Sequence, residues 1–468
     1  MLLTFIRKEL LSHLISLRFI LTFLLVVSIF IVSGLIFVSK HDMEMAEYWD
    51  AANKNLANLE EYSNNLSYLP YYVQNIRKKH KVNQLVCEGF EKTLPSTFKF
   101  DVFSFEFPEI ENRYNFLFPR FADIDWTFII AFILSFIAFL MTFDSISAEK
   151  EQGTLGLTLA NSVPKDQVLL GKYISGLLIL IIPVAVGLVL NILIVNISGI
   201  SVTGTEFIWK FFAFVILSIL YLSVFVLLGI LISSLSLRSS LSITLLLFVW
   251  VILAIIIPAL GRIGAQQMIS VPSRSEVEQQ IENSQRQIWS DVDRFGKNAG
   301  NWGSNIEIDY QGRSRLFNAI TEAKNQIKQN YMNRSIAQIE SGRKIMRFSP
   351  TPLFQFASES IFNTGVARFR NLYRQLRSYQ SNFRDFILEK DREDPDSMHY
   401  LAENSIHHIM LSQKPVNFNA IPKFEEREIS ITEGLKSTIM DIGFLAVWNI
   451  LIGIAAYFAF LKADVRQQ

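Results

Sequence analysis

Six stretches of this 468-residue chain carry no charged side chain, and each is long enough as a helix to cross roughly 30 Å of hydrocarbon. They run from Phe19 to Val38, Trp126 to Phe143, Tyr173 to Asn196, Phe211 to Ser234, Leu241 to Leu260 and Ile442 to Leu461. Lipid offers backbone groups no hydrogen-bond partner, so blocks of this length are predicted to span as helices. An even number of spans puts both termini on one side of the membrane.

Lys and Arg in the short flanking segments set the orientation. Arg7, Lys8 and Arg18 precede the first span, Lys150, Lys165 and Lys172 lie between the second and third, and Arg238 lies between the fourth and fifth. Lys462 and Arg466 follow the sixth, whereas the short loop from Ser198 to Lys210 has only Lys210. Both termini are therefore predicted cytoplasmic, in the inner or plasma membrane of the cell. The first block is too long for a signal peptide and no small-x-small site follows Val38, so it is expected to remain as an anchor.

The segments divide as follows. Residues 1–18 form an amphipathic N-terminal helix on the cytoplasmic surface, with Leu3, Ile6, Leu10 and Leu14 at helical spacing. Residues 39–125 form a first extracytoplasmic loop, 144–172 a cytoplasmic loop, 261–441 a large extracytoplasmic domain and 462–468 a cytoplasmic tail. The two outer loops together exceed the size at which a chain buries its own core.

In the first outer loop, Met45, Trp49, Ala52, Leu56 and Leu59 keep helical spacing, and Phe98 to Phe107 alternates as a half-buried strand does. The second is read as mainly helical, starting at a capping box of Ser275 with Glu278. Further helices are predicted over Leu316 to Met346, Pro352 to Phe362, Val366 to Glu389 and Ser397 to Leu411, with a flexible tip from Gly296 to Asn301. Cys87 is alone, which excludes an intramolecular disulfide framework and fits a buried thiol.

Function classes narrow quickly. Net charge is +1 with no long basic run, so nucleic acid is dropped as a partner. No span carries a charged residue or His deep in its apolar run, as a proton or ion relay would need, and no internal repeat appears. Pro183 and Pro258 are read as helix bends, and Asn191 and Asn449 as bonds to neighbouring helices. Outer His41, His399, His407 and His408, with Met398 and Met410, lack metal-ligand spacing; they are read as surface or capping residues. The basic, aromatic run from Arg368 to Arg374 is read as a solvated helix face.

The chain also lacks Gly-x-x-x-x-Gly-Lys-[Ser/Thr]: Gly171-Lys172 is followed by Tyr173. Any ATP-driven action must borrow its ATPase, and the 144–172 loop is the place to receive one. Glu149, Lys150 and Glu151 offer charges, Gly153 a tight bend, and Leu155 and Leu159 one face of a short helix that could seat in a partner's groove. By composition alone, an ordinary solvated loop fits equally well.

The stretch Glu149-x-Glu151-x-Gly153-Thr154-Leu155, followed by Leu169-Leu170-Gly171-Lys172, resembles ABC-2-type exporter permeases. Six spans, an amphipathic start and cytoplasmic termini agree with that family. One departure is visible: the family usually has a Pro-Val-Ser-Arg-like run before its Gly-Lys, where this chain reads Ser162-Val163-Pro164-Lys165. The long insertion before the last span, with Ser349-Pro350-x-Pro352-Leu353-Phe354-Gln355-Phe356, more loosely resembles the NosY/GldF-like permeases.

The resemblance implies an α-helical polytopic fold of ABC-2 exporter type, with a mainly α, partly β extracytoplasmic domain. It implies a non-catalytic permease subunit that holds no cofactor itself, with ATP and Mg bound by a partner ATPase. It further implies a second permease chain, identical or related, and it leaves room for an extracytoplasmic protein partner. Coupling contacts would come from Glu149, Lys150, Glu151, Gly153, Thr154, Leu155, Pro164, Gly171 and Lys172, with Arg238 as a second contact. The competing reading is a membrane-anchored receptor or assembly scaffold without ATP coupling.

Overall fold

The computed structural model describes residues 2–93, 95–106, 124–156, 164–202, 204–300, 308–403, 410–427 and 431–462. Among these described residues are six helices long and apolar enough to cross a membrane. The chain starts with α1 (Leu2–Leu14) and turns at Ser16, whose hydroxyl accepts from Phe19 N at 3.2 Å. That cap opens α2 (Leu17–Tyr62), so the first apolar block and the helical pattern from Met45 to Leu59 form one unbroken helix of 46 residues.

Beyond α2, β1 (Gln74–Arg77) pairs antiparallel with β2 (Thr97–Phe100), Gln74 opposite Phe100 and Arg77 opposite Thr97. The strand expected from Phe98 to Phe107 is shorter: it stops at Phe100, and Phe105 returns as a single bridge to Phe100. Asp101 makes the break, because its carboxylate accepts from Phe103 N and Ser104 N at 2.7 and 2.6 Å, closing a turn in place of ladder bonds.

The second span is α3 (Trp126–Phe128), a π-helical segment Ile129–Leu134, and α4 (Ser135–Thr142). After the short α5 (Ser147–Glu151), spans three and four are α6 (Lys165–Ile197) and α7 (Thr205–Leu235). The fifth is α8 (Ser239–Val251), a second π segment Ile252–Ile256, and α9 (Ile257–Met268). The helices α10 (Arg274–Ser290), α11 (Tyr310–Met346), α12 (Pro350–Phe362) and α13 (Val366–Arg392) follow, with α12 packed among the spans, and α14 (Ile431–Leu461) carries the last span.

Two expectations are corrected. The capping box uses Ser273 and Glu276, not Ser275 and Glu278; Pro272 fixes the approach, and the helix starts at the first serine it meets. The helix expected from Ser397 to Leu411 is not formed by its described residues, 397–403 and 410–411. There Asp391 accepts from Ser397 Oγ at 2.6 Å and from Ser412 N at 2.7 Å, and its other oxygen meets His399 Nδ1 at 2.8 Å. These side-chain bonds gather the segment into a loop and outcompete helical ones.

Inside the membrane, polar groups tie helices together. Asn191 donates to Phe30 O at 2.6 Å, and Asn449 donates to Leu220 O at 2.9 Å. A π segment leaves carbonyls free, and both segments find partners: Tyr221 OH donates to Ala131 O at 2.6 Å, and Ser349 Oγ donates to Leu253 O at 2.5 Å.

Ser349 is the N-cap of α12, so α12 is seated within the bundle and ties the segment that follows to it. The Phe354 ring stacks on Tyr221 with centroids 4.5 Å apart, a contact worth about 0.5–1.5 kcal/mol beyond its buried area. Helix α12 ends at Asn363, whose φ of 57° is the left-handed stop that turns the chain into α13.

The extramembrane core has two parts. Phe90, Phe98, Phe100 and Phe105 from the first loop pack against Met332 of α11 and Phe369, Leu372 and Leu376 of α13. Leu59, Leu66, Leu69 and Phe103 pack with Phe383 and Ile387. The two loops thus join in packing, and the solvated-face reading of the Arg368 run is corrected at its start: Arg368 and Phe369 are buried, whereas Arg374 is exposed.

One crossing inside the bundle is tight enough to test. A Cβ on Gly229 of α7 would lie 1.8 Å from Thr142 Oγ1 and 2.7 Å from Thr142 Cβ, and that hydroxyl is held by Ala138 O at 2.7 Å. Gly229→Val is expected to cost about 1–3 kcal/mol by overpacking. It should lower the fraction of chain that elutes as a single species from detergent, and Gly229→Ala with Thr142→Gly should recover most of it. An unaltered elution profile for Gly229→Val would show that the helices part freely here.

Candidate coupling site at the terminal face

On the face where α1 lies and α14 ends, the chain leaves α4 at Thr142 and passes Asp144, which Arg18 meets at 2.5 Å. Ser233 Oγ, near the end of α7, accepts from Ile146 N at 3.0 Å and from Ser147 N at 2.9 Å. These two backbone donors stand at the start of α5, where a helix has no internal partner for them. The hydroxyl of another helix thus fixes where α5 begins.

Every charge in α5 is engaged within the chain. Lys150 Nζ donates to Ser234 O and Ser236 O, the free carbonyls at the end of α7. Glu151 accepts from Ser239 N at 3.1 Å and so caps the first turn of α8. Glu149 receives Lys172 Nζ at 2.6 Å, and the same ammonium lies 3.7 Å from Glu9 of α1. Lys172 is only 4 % exposed, so this is a shielded ionic centre rather than a surface pair.

Gly153 has φ +70°, the left-handed region that favours glycine, and it reverses the chain after α5. Thr154 N then donates back to Glu149 O at 2.9 Å, and Leu155 is buried. Leu159, Ser162 and Val163 lie outside the described residues. Pro164 is exposed and precedes the first residue of α6. At Gly171 a Cβ would sit 2.4 Å from the Phe5 ring, so α1 crosses α6 at this glycine. Arg238 is exposed at the N-cap position of α8.

The arrangement separates two groups. Glu149, Lys150, Leu155, Gly171 and Lys172 face the chain itself, and they join α5 to α1, α6 and α7. Glu151, Gln152, Gly153, Thr154, Pro164, Lys165 and Arg238 are exposed on the same face, beside Leu235 and Leu237, which are 65 % and 66 % exposed. Such a surface, apolar with mixed charge around it, suits docking by a folded partner. The serines at 233, 236 and 239 had no part in the sequence reading, and their clustering just before and after Arg238 was the available signal; Glu9 counted only as a polar residue of the amphipathic start.

The extramembrane histidines fall into separate surroundings. His41 Nδ1 meets His80 Nδ1 at 2.8 Å, His399 pairs with Asp391, and His407 and His408 lie outside the described residues. Met398 is exposed and Met410 buried. Among the described residues no group of three or more His, Cys, Asp or Glu could hold a metal ion.

Six spanning helices, an extramembrane domain made from two loops and a braced loop at the terminal face define a multi-pass membrane protein of transporter type. The chain belongs to the ABC-2 transporter family: the family model described as "ABC-2 family transporter protein" matches residues 3–465. Permeases of this family are in general non-catalytic membrane subunits that work with ABC ATPase subunits. A search of curated proteins finds no match.

Proposed function

We propose that this chain is the permease subunit of an ATP-driven transporter, lying in the cell membrane with both termini cytoplasmic and docking a separate ATPase on the 144–172 loop. The observation that carries the reading is the bracing of α5. It bonds at once to the ends of α7 and α8 through Ser233, Lys150 and Glu151, and to α6 and α1 through Lys172. A push on this segment therefore reaches four helices without passing through a flexible link. ATP and Mg belong to the partner, and a second permease chain, the same or related, completes the assembly.

The path from the loop continues along α7 to Tyr221 and, through Phe354 and Thr351 of α12, to the extramembrane segment that follows. This continuity favours mechanical work on a partner outside the membrane as a second reading, beside export of a substrate.

Co-purification from native membrane in mild detergent tests the proposal. A stoichiometric subunit with a phosphate-binding Gly-x-x-x-x-Gly-Lys-[Ser/Thr] motif is expected; its absence, together with absent ATP hydrolysis, would favour a receptor or scaffold. Glu151→Lys, which removes the α8 cap and reverses an exposed charge, and Gly153→Trp, which strains a left-handed position, should leave the chain membrane-inserted. Both should reduce transporter-stimulated ATP hydrolysis by about tenfold, an effect of about 1.4 kcal/mol on coupling. Unchanged hydrolysis in both variants would remove the loop from the coupling role.

A further inference from the structure

A cleft of about 480 Å³ opens between the end of α11, the α12–α13 corner and the start of the last span at Asp441. Five cationic and three acidic side chains line it, a surplus of two positive charges. Three of the cations are held: Arg343 by Glu359 at 2.6 Å, Arg347 by Asp441 at 2.6 Å, and Arg370 by Glu340. Lys344 and Arg374 are exposed at the cleft, and among the described residues neither meets a carboxylate. The surplus charge therefore resides on these two side chains, while the neighbouring ion pairs keep the wall rigid.

We propose that this cleft binds a phosphoryl anion, with Lys344 and Arg374 as its charged contacts. An arginine fork and a lysine ammonium are the donors that match phosphate oxygens, and two uncompensated cations match a phosphate's one or two negative charges. Asn363 and Asn371 on the same lining supply neutral amide groups. The position beside the membrane points to an amphipathic ligand. Phe348 adjoins Arg347 and is 74 % exposed, and Ile439 and Met440 adjoin Asp441 and are also exposed. A headgroup phosphate held in the cleft would leave its chains against this apolar flank. A soluble phosphate compound would use the same cations without the flank.

The full chain in nanodiscs distinguishes these sources. Native mass spectrometry should show more phosphatidylglycerol than phosphatidylcholine retained by the wild type. Lys344→Ala with Arg374→Ala should lower that retention by about tenfold or more, as expected for loss of two charge-assisted contacts. The exchange of Lys344→Arg with Arg374→Lys keeps both charges but moves the fork, so it should retain more phosphatidylglycerol than the double alanine variant and less than the wild type. In phosphatidylcholine nanodiscs, calorimetric titration with pyrophosphate reads the soluble source. Pyrophosphate binding that the double alanine variant loses, with lipid retention unaffected, would assign the site to soluble phosphates. If neither lipid retention nor pyrophosphate binding responds to the double substitution, the cleft is not an anion site and the proposal is overturned.

Discussion

Glu91→Ala is expected to cost about 3–5 kcal/mol of folding stability, the range for breaking a buried ion pair by removing one partner. Glu91 is 1 % exposed in its side chain; one oxygen accepts from Lys78 at 2.8 Å and the other lies 3.1 Å from Arg368. Burial alone would raise the Glu91 pKa, but the ammonium of Lys78 and the guanidinium of Arg368 outweigh it and hold the carboxyl below its ordinary value. Arg368 also meets Glu426 at 3.2 Å, and Lys81 meets the same carboxylate at 2.8 Å.

Five charges thus join the first loop, α13 and the segment before the last span. Removing Glu91 leaves two cations, 8 % and 3 % exposed, without their carboxylate. Denaturant unfolding of the purified chain reads the loss. Glu91→Gln with Arg368→Met, which removes one charge of each sign, should lose less than Glu91→Gln alone. A Glu91→Ala midpoint indistinguishable from wild type would mean that water reaches the network.

Acid should loosen the same region through His80. This ring is 3 % exposed, and burial pushes its pKa down to about 3, helped by His41, Lys40, Lys78 and Arg368. The unfolded chain titrates this group near pH 6.5, so below that pH it binds a proton that the folded chain refuses. Folded-state stability from a neutral His80 is therefore complete above about pH 6.5 and is lost as pH falls from there towards about 3.

The slope is about 1.4 kcal/mol per pH unit, hence about 2 kcal/mol by pH 5. The 2.8 Å contact to His41 requires one ring to donate and the other to accept, which a doubly charged pair cannot do. Unfolding midpoints of wild type and His80→Phe between pH 7.5 and 5 test this, with a shallower fall expected for the variant. Parallel curves would place the acid sensitivity elsewhere.

The spans were legible because lipid imposes a single rule, absence of charge over a fixed length, that composition alone can meet. Helix type was not legible. The π segments at Ile129–Leu134 and Ile252–Ile256 have the same apolar residues as their surroundings, and they are stabilised by Tyr221 and Ser349 from distant positions. Strand β1 was missed for a related reason. Its residues Gln74-Asn75-Ile76-Arg77 show no alternation, and β2 supplies the pairing that makes them a strand.

At the coupling site, residue types and Gly153 could be read locally, since a backbone reversal needs only one residue. Which charges stay available could not, because Lys172 lies 23 positions from Glu149 and Ser234 lies 84 from Lys150. The same limit applied to the Arg368 run, whose inward charge is explained only by Glu91 and Glu426 on other segments.

The unbroken α2 makes the molecule a lever. Its 46 residues extend about 69 Å, and the portion from Lys40 to Tyr62 stands about 35 Å beyond the apolar block. A tilt of about 10° in the bilayer would carry Tyr62 sideways by about 6 Å with no change in any backbone torsion. Leu59 lies in the extramembrane core, so the domain would travel with that tip. Small rotations among packed spans would thereby emerge as displacements large enough to open or close a contact far from the membrane.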